Sequence, residues 1–160
     1  MILLKIDLKK LLVALAVPLA VGGLSALLSR VATERFDSLE KPPLAPPSWV
    51  FPVVWTVLFV LMGIASYLVA VEKAEEKQKK AALTVYGIQL AFNFAWTLIF
   101  FNAGAYLFAF VWLIILWLLI IATVYLFSKI RFAAGLLLVP YALWVAFAGY
   151  LNFSIYLLNR

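Results

Sequence analysis

The stretch KPPLAPPSWVFPVVWTVLF, residues Lys41–Phe59, decides the fold of this chain. Its prolines fix φ and remove backbone donors, so the front part is not an ordinary helix. Each residue before a proline is biased toward extended backbone. The stretch then opens directly into an apolar run that carries Trp55. It is either a stiff lid over the mouth of a helix bundle, or a proline-rich start to a membrane helix with interfacial tryptophans.

The composition identifies a membrane protein. Of the 160 residues, 68% are hydrophobic and 12% are charged, whereas soluble domains are about half apolar and a quarter charged. The length suits a single domain over residues 1–160. The chain contains no Cys and no His, which excludes thiolate chemistry and removes the commonest metal ligand. We therefore expect no metal site, and no nucleic-acid partner because no folded basic face is visible.

Clusters of charge divide the chain into apolar spans of about 20 residues, the length that a membrane helix needs. The sequence predicts an all-α integral membrane protein, a bundle of five transmembrane helices. The predicted helices cover about residues 11–29, 48–71, 81–101, 106–127 and 133–158. The segment 30–47 is predicted to be a proline-rich lid loop. The charged segment 72–80, EKAEEKQKK, is either a loop or a helix extension.

The distribution of Lys and Arg predicts the orientation. With five spans, the N-terminus, the 72–80 segment and the 128–132 segment share one side. That side carries nine basic residues: Lys5, Lys9, Lys10, Lys73, Lys77, Lys79, Lys80, Lys129 and Arg131. The other side carries four: Arg30, Arg35, Lys41 and Arg160. The positive-inside rule then predicts a cytoplasmic N-terminus, in a prokaryotic cell membrane or, for a eukaryotic source, the mitochondrial outer membrane.

The third helix presents two opposite faces. Gly87, Ala91 and Ala95 form a stripe of small residues, which suits a homodimer interface or close packing within the chain. Gln89 and Asn93 fall on the other side, because residues two apart are about 200° apart on a helix. Buried amides need partners, so this second face predicts either interhelical hydrogen bonds or a ligand pocket.

The predicted spans contain no ionisable side chain, which argues against ion coupling and hydrolysis. An aromatic cavity with a few amides suits a planar, largely apolar molecule such as a tetrapyrrole or a sterol. Ordinary aromatic packing is the alternative. The predicted ligand-binding residues are Trp49, Trp55, Phe59, Gln89, Asn93, Trp96, Phe100, Tyr141, Trp144, Ala148 and Leu151.

Three blocks resemble the TspO/MBR family of translocator, or peripheral benzodiazepine receptor, proteins. They are KPPLAPPSWVFPVVWTVLF at 41–59, QLAFNFAWTLIFF at 89–101 and PYALWVAFAGYLNFSIYLLN at 140–159. The resemblance implies a five-helix membrane bundle, commonly a homodimer, whose first loop covers a pocket for porphyrin. In animal members the ligands include cholesterol and synthetic drugs, so a sterol or lipid is a second expected partner.

The resemblance also implies roles for single residues. Asn93 and Trp96 match pocket residues on the third helix, and Ala148 and Leu151 match ligand-contacting positions on the fifth. Trp55 and Trp144 match tryptophans that face bound porphyrin and take part in its light-dependent breakdown in some bacterial members.

The chain departs from the family pattern in two places. Arg35 and Leu44 stand where many bacterial members have Trp, which makes the lid less aromatic. In the sterol-associated motif at the end of the fifth helix, Phe153 and Leu157 replace Tyr and Arg, although Leu151, Tyr156 and Arg160 keep the loose L-x-Y-x-R spacing.

These features are consistent with three functions. The first is tetrapyrrole binding by a sensor, scavenger or transporter that has porphyrin as its ligand and no intrinsic cofactor. The second is light-dependent porphyrin degradation through Trp55 and Trp144, which would be the only catalytic residues. The third is a membrane scaffold that dimerises through the third helix.

Overall fold

The computed structural model describes residues 5–30 and 33–160, which form seven α-helices and one π-helical turn. The helices are α1 Leu8–Leu28, α2 Thr33–Ser38, α3 Val50–Val71, α4 Glu76–Thr97, α5 Tyr106–Ile130, α6 Phe132–Leu137 and α7 Val139–Leu158, and the π turn Leu98–Asn102 continues α4. Five stretches are long and apolar enough to cross a membrane: α1, α3, α4 with its π turn, α5, and α6 with α7. The predicted all-α bundle of five transmembrane helices is confirmed. Residues 31 and 32 of the predicted lid lie outside the described residues.

Charged residues extend the helices beyond the apolar spans. Helix α1 begins at Leu8, not at residue 11, because the Asp7 side chain caps its first turn by accepting a hydrogen bond from the Lys10 backbone N–H at 3.1 Å. Helix α4 begins at Glu76, not at residue 81, because Glu, Lys and Gln are good helix formers. Most of the segment 72–80 is therefore a helix extension.

The fifth span and the lid are more segmented than predicted. The span is divided at Leu138, so that the predicted single helix 133–158 consists of α6 and α7. Pro140 lies in the first turn of α7, where its missing N–H leaves no helical hydrogen bond unmade. In the lid, residues 33–38 form the short helix α2 instead of a loop, because the prolines of this segment begin only at Pro42.

The membrane helices form a closed ring. Helix α1 packs against α3, α3 against α6, α5 against both α6 and α7, and α4 against both α5 and α1. Helices α1 and α3 approach each other closely at Gly63, where an added Cβ would lie 2.9 Å from the Leu15 backbone. Small residues at helix crossings let two backbones approach this closely.

Hydrogen bonds identify which segments share an end of the bundle. The Asp7 backbone N–H donates to the Tyr67 hydroxyl at 3.0 Å, and Arg131 pairs with Glu72 at 3.3 Å. The start of α1, the loop after α3 and the junction of α5 with α6 therefore lie together. At the opposite end, Asn159 after α7 contacts the lid.

Candidate functional site

A cavity of about 430 Å³ opens at the lid end of the bundle. It lies between the last turns of α1 and α4, the first turns of α3, and one face of α7 from Trp144 to Ile155. This volume is within the range of small-molecule pockets. The wall is mainly apolar and contains eight aromatic side chains: Phe36, Phe51, Trp55, Phe59, Trp96, Phe100, Phe101 and Trp144.

The π turn at the end of α4 shapes one side of the cavity. A π-helical turn takes in more residues than an α-helical turn, and both Phe100 and Phe101 face the cavity. The Trp96 and Phe100 rings are stacked at 5.3 Å, and Phe101 meets Phe100 edge-on at 4.9 Å. Single π turns in α-helices occur frequently at functional sites. No pattern in the sequence predicted this turn.

A buried hydrogen-bond chain supports the cavity wall from behind. The Tyr141 hydroxyl donates to Gln89 Oε1 at 2.7 Å and accepts from Asn93 Nδ2 at 2.7 Å. Gln89 and Tyr141 are each 1% exposed, and Asn93 is 2% exposed. Of the three, only Asn93 lines the cavity. Tyr141 and Gln89 therefore hold the Asn93 amide in position instead of facing the cavity.

A second buried chain fixes the orientation of Trp96. Its Nε1–H donates to Asn152 Oδ1 at 3.1 Å, and Asn152 Nδ2 donates to the Tyr106 carbonyl at 2.8 Å. These bonds join α4, α7 and the start of α5. By contrast, Trp144 Nε1 is buried with no hydrogen-bond partner among the described residues. The Trp96 indole is thus held in place by hydrogen bonding, whereas the Trp144 indole is held by packing alone.

Eight of the eleven residues predicted for the pocket lie on the cavity wall. They are Trp55, Phe59, Asn93, Trp96, Phe100, Trp144, Ala148 and Leu151. Gln89 and Tyr141 are one layer behind the wall. Trp49 immediately precedes α3 and is 68% exposed on the outside of the protein, because the turn that starts the helix directs it away from the bundle.

The sequence predicted a lid but did not identify the lid residues that line the cavity. Phe36 on α2 is 7% exposed, and its ring lies 5.6 Å from Phe51, 5.9 Å from Phe101 and 6.3 Å from Phe100. Phe36 therefore lies at the mouth of the cavity. The polar rim around it consists of Arg30, Glu34, Asp37 and Ser48. These residues precede the proline-rich stretch or lie within it. No periodic pattern in the sequence predicted that they would line the site.

The stripe of small residues on α4 faces away from the cavity. Gly87 and Ala91 are exposed, and Ala95 is half-buried. A Cβ added at Gly87 would have no described atom within 4 Å. At Gly87, the alternative of close packing against a neighbouring helix of the same chain is therefore not observed.

The sequence also matches known proteins, and these matches belong to one family. A sequence model of the TspO/MBR family matches residues 14–158. The tryptophan-rich protein TspO of Chlorobaculum tepidum is 39% identical over 142 residues, which cover 88% of this chain and 90% of that protein. The tryptophan-rich sensory protein of Cereibacter sphaeroides is 40% identical over 126 residues, which cover 79% of this chain and 77% of that protein. The human translocator protein is 37% identical over 122 residues, which cover 76% of this chain and 72% of that protein.

Proposed function

Because this chain belongs to the TspO/MBR family and encloses an aromatic cavity under a lid, we propose that it binds a tetrapyrrole within the membrane. It would act as a sensor, scavenger or transporter of that ligand. Its five apolar helices and its family make it a multi-pass membrane protein. Our proposal for its orientation is a cytoplasmic N-terminus in a prokaryotic cell membrane, which leaves the lid outside.

The chemistry of the cavity wall carries the proposal. Its charged residues, Arg30, Glu34 and Asp37, belong to the rim, while the deeper wall is apolar apart from amide, indole and hydroxyl groups. Stacked aromatic pairs give flat surfaces that suit a planar macrocycle. The charged rim suits the polar substituents at the edge of such a ring. A sterol or lipid would also match the apolar wall and is the alternative ligand.

A protoporphyrin titration of the detergent-purified protein in the dark, read by tryptophan quenching, tests the proposal. We expect saturable binding that weakens in Asn93→Ala and Trp144→Phe, because both side chains line the cavity. Trp49→Phe is the matched control, since Trp49 is exposed outside the cavity. Equal affinity in all of these proteins would exclude the cavity as the site. Competition by a sterol would identify the alternative ligand.

Light-dependent porphyrin degradation is a second candidate function. One observation favours it: Trp55 and Trp144 line the same cavity, from α3 and α7. The bound porphyrin would act as photosensitiser and react with dioxygen, so that the macrocycle is oxidised, while the protein supplies orientation and redox-active tryptophans. Illumination of equally loaded parent, Trp55→Phe and Trp144→Phe proteins should then give slower product formation in the variants. Equal rates would exclude a role for the two tryptophans.

The outward stripe on α4 supports a further proposal, a homodimer. Gly87 and Ala91 are exposed small residues on a membrane helix, a pattern that permits close helix association. We expect Ala91→Trp to shift the protein from dimer to monomer in detergent, measured by light scattering. Dimerisation with no saturable porphyrin binding would instead favour the third function, a membrane scaffold.

A further inference from the structure

We infer that Trp144 is the gate of a lateral passage between α3 and α7, through which the ligand moves between the bilayer and the cavity. This inference rests on the proposed function and specifies how the ligand reaches the site. It also specifies the class of ligand, which is a flat molecule that partitions into the hydrocarbon of the membrane. The lid stays in place while such a ligand enters.

A groove of about 580 Å³ lies on the outer surface of the bundle between α3 and α7. This lateral groove follows α3 from Val53 to Leu61 and α7 from Pro140 to Phe147, so it is about 10–12 Å long at 1.5 Å per residue. Both stretches belong to spans that are long and apolar enough to cross a membrane. Val57 and Leu143 line its two sides and are exposed. The lateral groove therefore opens to the lipid.

Trp144 separates the lateral groove from the cavity. Among the described residues, it alone lines both. Its ring meets Phe51 of α3, which lines the cavity, edge-on at 5.9 Å, and lies 5.6 Å from Phe147, which lines the groove. The contact with Phe51 crosses the gap between the two helices. The indole of Trp144 is therefore a partition, one side chain thick, between the lipid and the cavity.

The Trp144 indole can move without the loss of a hydrogen bond. Its Nε1 is buried with no partner among the described residues, and a buried donor without a partner opposes the closed position. Trp96, in contrast, is held by its bond to Asn152. Trp144 is thus the cavity tryptophan that ring contacts and packing alone keep in place, which suits a side chain that swings aside for a ligand.

The mouth under the lid is a less suitable entrance for an apolar ligand. Phe36 fills it with three ring contacts, two hydrogen bonds join Asn159 to Glu40, and charged side chains surround it. The described residues that line the lateral groove carry no charge, so a ligand can pass them without leaving an apolar environment. Opening of the lid would add a second route in parallel and would not remove this one.

The test obstructs the lateral groove without touching the cavity. Leu143→Cys supplies a unique thiol, because the chain contains no Cys, and N-phenylmaleimide adds a bulky group there. Stopped-flow quenching by protoporphyrin in the dark, at a series of concentrations, gives the association and dissociation rate constants. We expect the adduct to lower both about tenfold, within the range that overpacking implies, with an unchanged dissociation constant. The adduct on Leu157→Cys, which is exposed on α7 outside the groove, should keep the parent rates.

Two further variants make the test independent of the adduct. Val57→Phe narrows the lateral groove from α3 and should slow both steps in the same proportion, whereas Val111→Phe, exposed on α5, is the matched control. Trp144→Ala should raise the association rate constant because the gate is gone, even though the loss of a wall ring weakens binding at equilibrium. A residue that only contacts the ligand would not accelerate its entry. Circular dichroism verifies that each protein is folded.

The outcomes distinguish the passage from the proposed function. Parent rate constants in both the Leu143→Cys adduct and Val57→Phe would overturn the lateral passage and leave the cavity as the site. Weaker affinity of these proteins at an unchanged association rate would also overturn it, because the ligand would then rest in the groove. A lower association rate constant in Trp144→Ala would show that Trp144 is not the gate. Absence of saturable binding by the folded parent would overturn the proposed function itself.

Discussion

The side-chain amide of Asn159 pairs with the backbone of Glu40 through two hydrogen bonds. Its Nδ2 donates to the Glu40 carbonyl at 2.9 Å, and its Oδ1 accepts from the Glu40 N–H at 3.0 Å. Asn159 directly follows α7, and Glu40 lies in the lid two residues before Pro42. This pair ties the lid to the helix that contributes Trp144 and Ala148 to the cavity.

Loss of this pair should accelerate ligand exchange. We expect Asn159→Ala to raise the dissociation rate of bound porphyrin roughly fivefold to thirtyfold, since each of the two hydrogen bonds contributes about 0.5–1 kcal/mol net. Stopped-flow recovery of tryptophan fluorescence measures this rate. Ser38→Ala is the control, because among the described residues the Ser38 hydroxyl bonds within α2, to the Arg35 carbonyl. A parent-like rate in Asn159→Ala would contradict the role of the pair in holding the lid closed.

Phe36 should act as the apolar anchor of α2. Three ring contacts hold it, and aromatic pairs contribute at least about 0.5 kcal/mol each, so Phe36→Ala should increase amide hydrogen exchange over residues 33–38 about tenfold or more. Mass spectrometry of the ligand-free protein measures this exchange. Leu44→Ala is the control, because Leu44 is exposed in the same lid. If Phe36→Ala exchanged at the parent rate, Phe36 would not be the anchor.

The crossing of α1 and α3 should tolerate no side chain at Gly63. A Cβ there would lie 2.9 Å from the Leu15 backbone, which cannot move without shifting the helix. We expect Gly63→Ala to reduce stability by about 1–3 kcal/mol, as overpacked interiors do. Gly23→Ala in α1 is the control, because a Cβ there has no described neighbour within 4 Å. Thermal unfolding in detergent should separate the two variants, and equal melting temperatures would refute the close crossing.

The hydrogen bond from Trp96 should matter for both stability and binding. Trp96→Phe keeps an aromatic ring but leaves Asn152 Oδ1 without its partner, which costs about 1–3 kcal/mol. We expect a lower melting temperature together with weaker porphyrin binding. Trp112→Phe removes a comparable bond, from Trp112 Nε1 to the Phe92 carbonyl at 2.9 Å, outside the cavity. It should lower stability without a matching loss of affinity, and an equal loss in both variants would show a purely structural role for Trp96.

The apolar spans predicted the five helices well because the hydrocarbon thickness sets their length, whatever their tertiary contacts. Their ends were predicted less well, since Asp7 and Glu76 begin helices in the charged flanks, where hydropathy carries no signal. The spacing of Gln89, Asn93 and Trp96 identified the correct face of α4. It did not separate Asn93, on the wall, from Gln89, behind it, because that difference depends on the position of Tyr141 on α7.

The lid was the part that sequence described least. Its proline-rich half was recognised from backbone chemistry, but the preceding helix α2 is only six residues long and has no repeating pattern. Phe36 reaches the cavity because of long-range ring contacts with α3 and the π turn. Contacts between segments so far apart in the chain cannot be obtained from local propensity.

The central claim, that the cavity under the lid holds the tetrapyrrole, is tested most directly by filling it. Ala148 faces the cavity from α7, whereas Leu143 on the same helix is 67% exposed. Protoporphyrin titrations in the dark should show parent-like saturable binding in Leu143→Phe and at least about tenfold weaker binding in Ala148→Phe, because the added ring occupies the ligand volume. Binding of parent strength in a folded Ala148→Phe protein would contradict the claim.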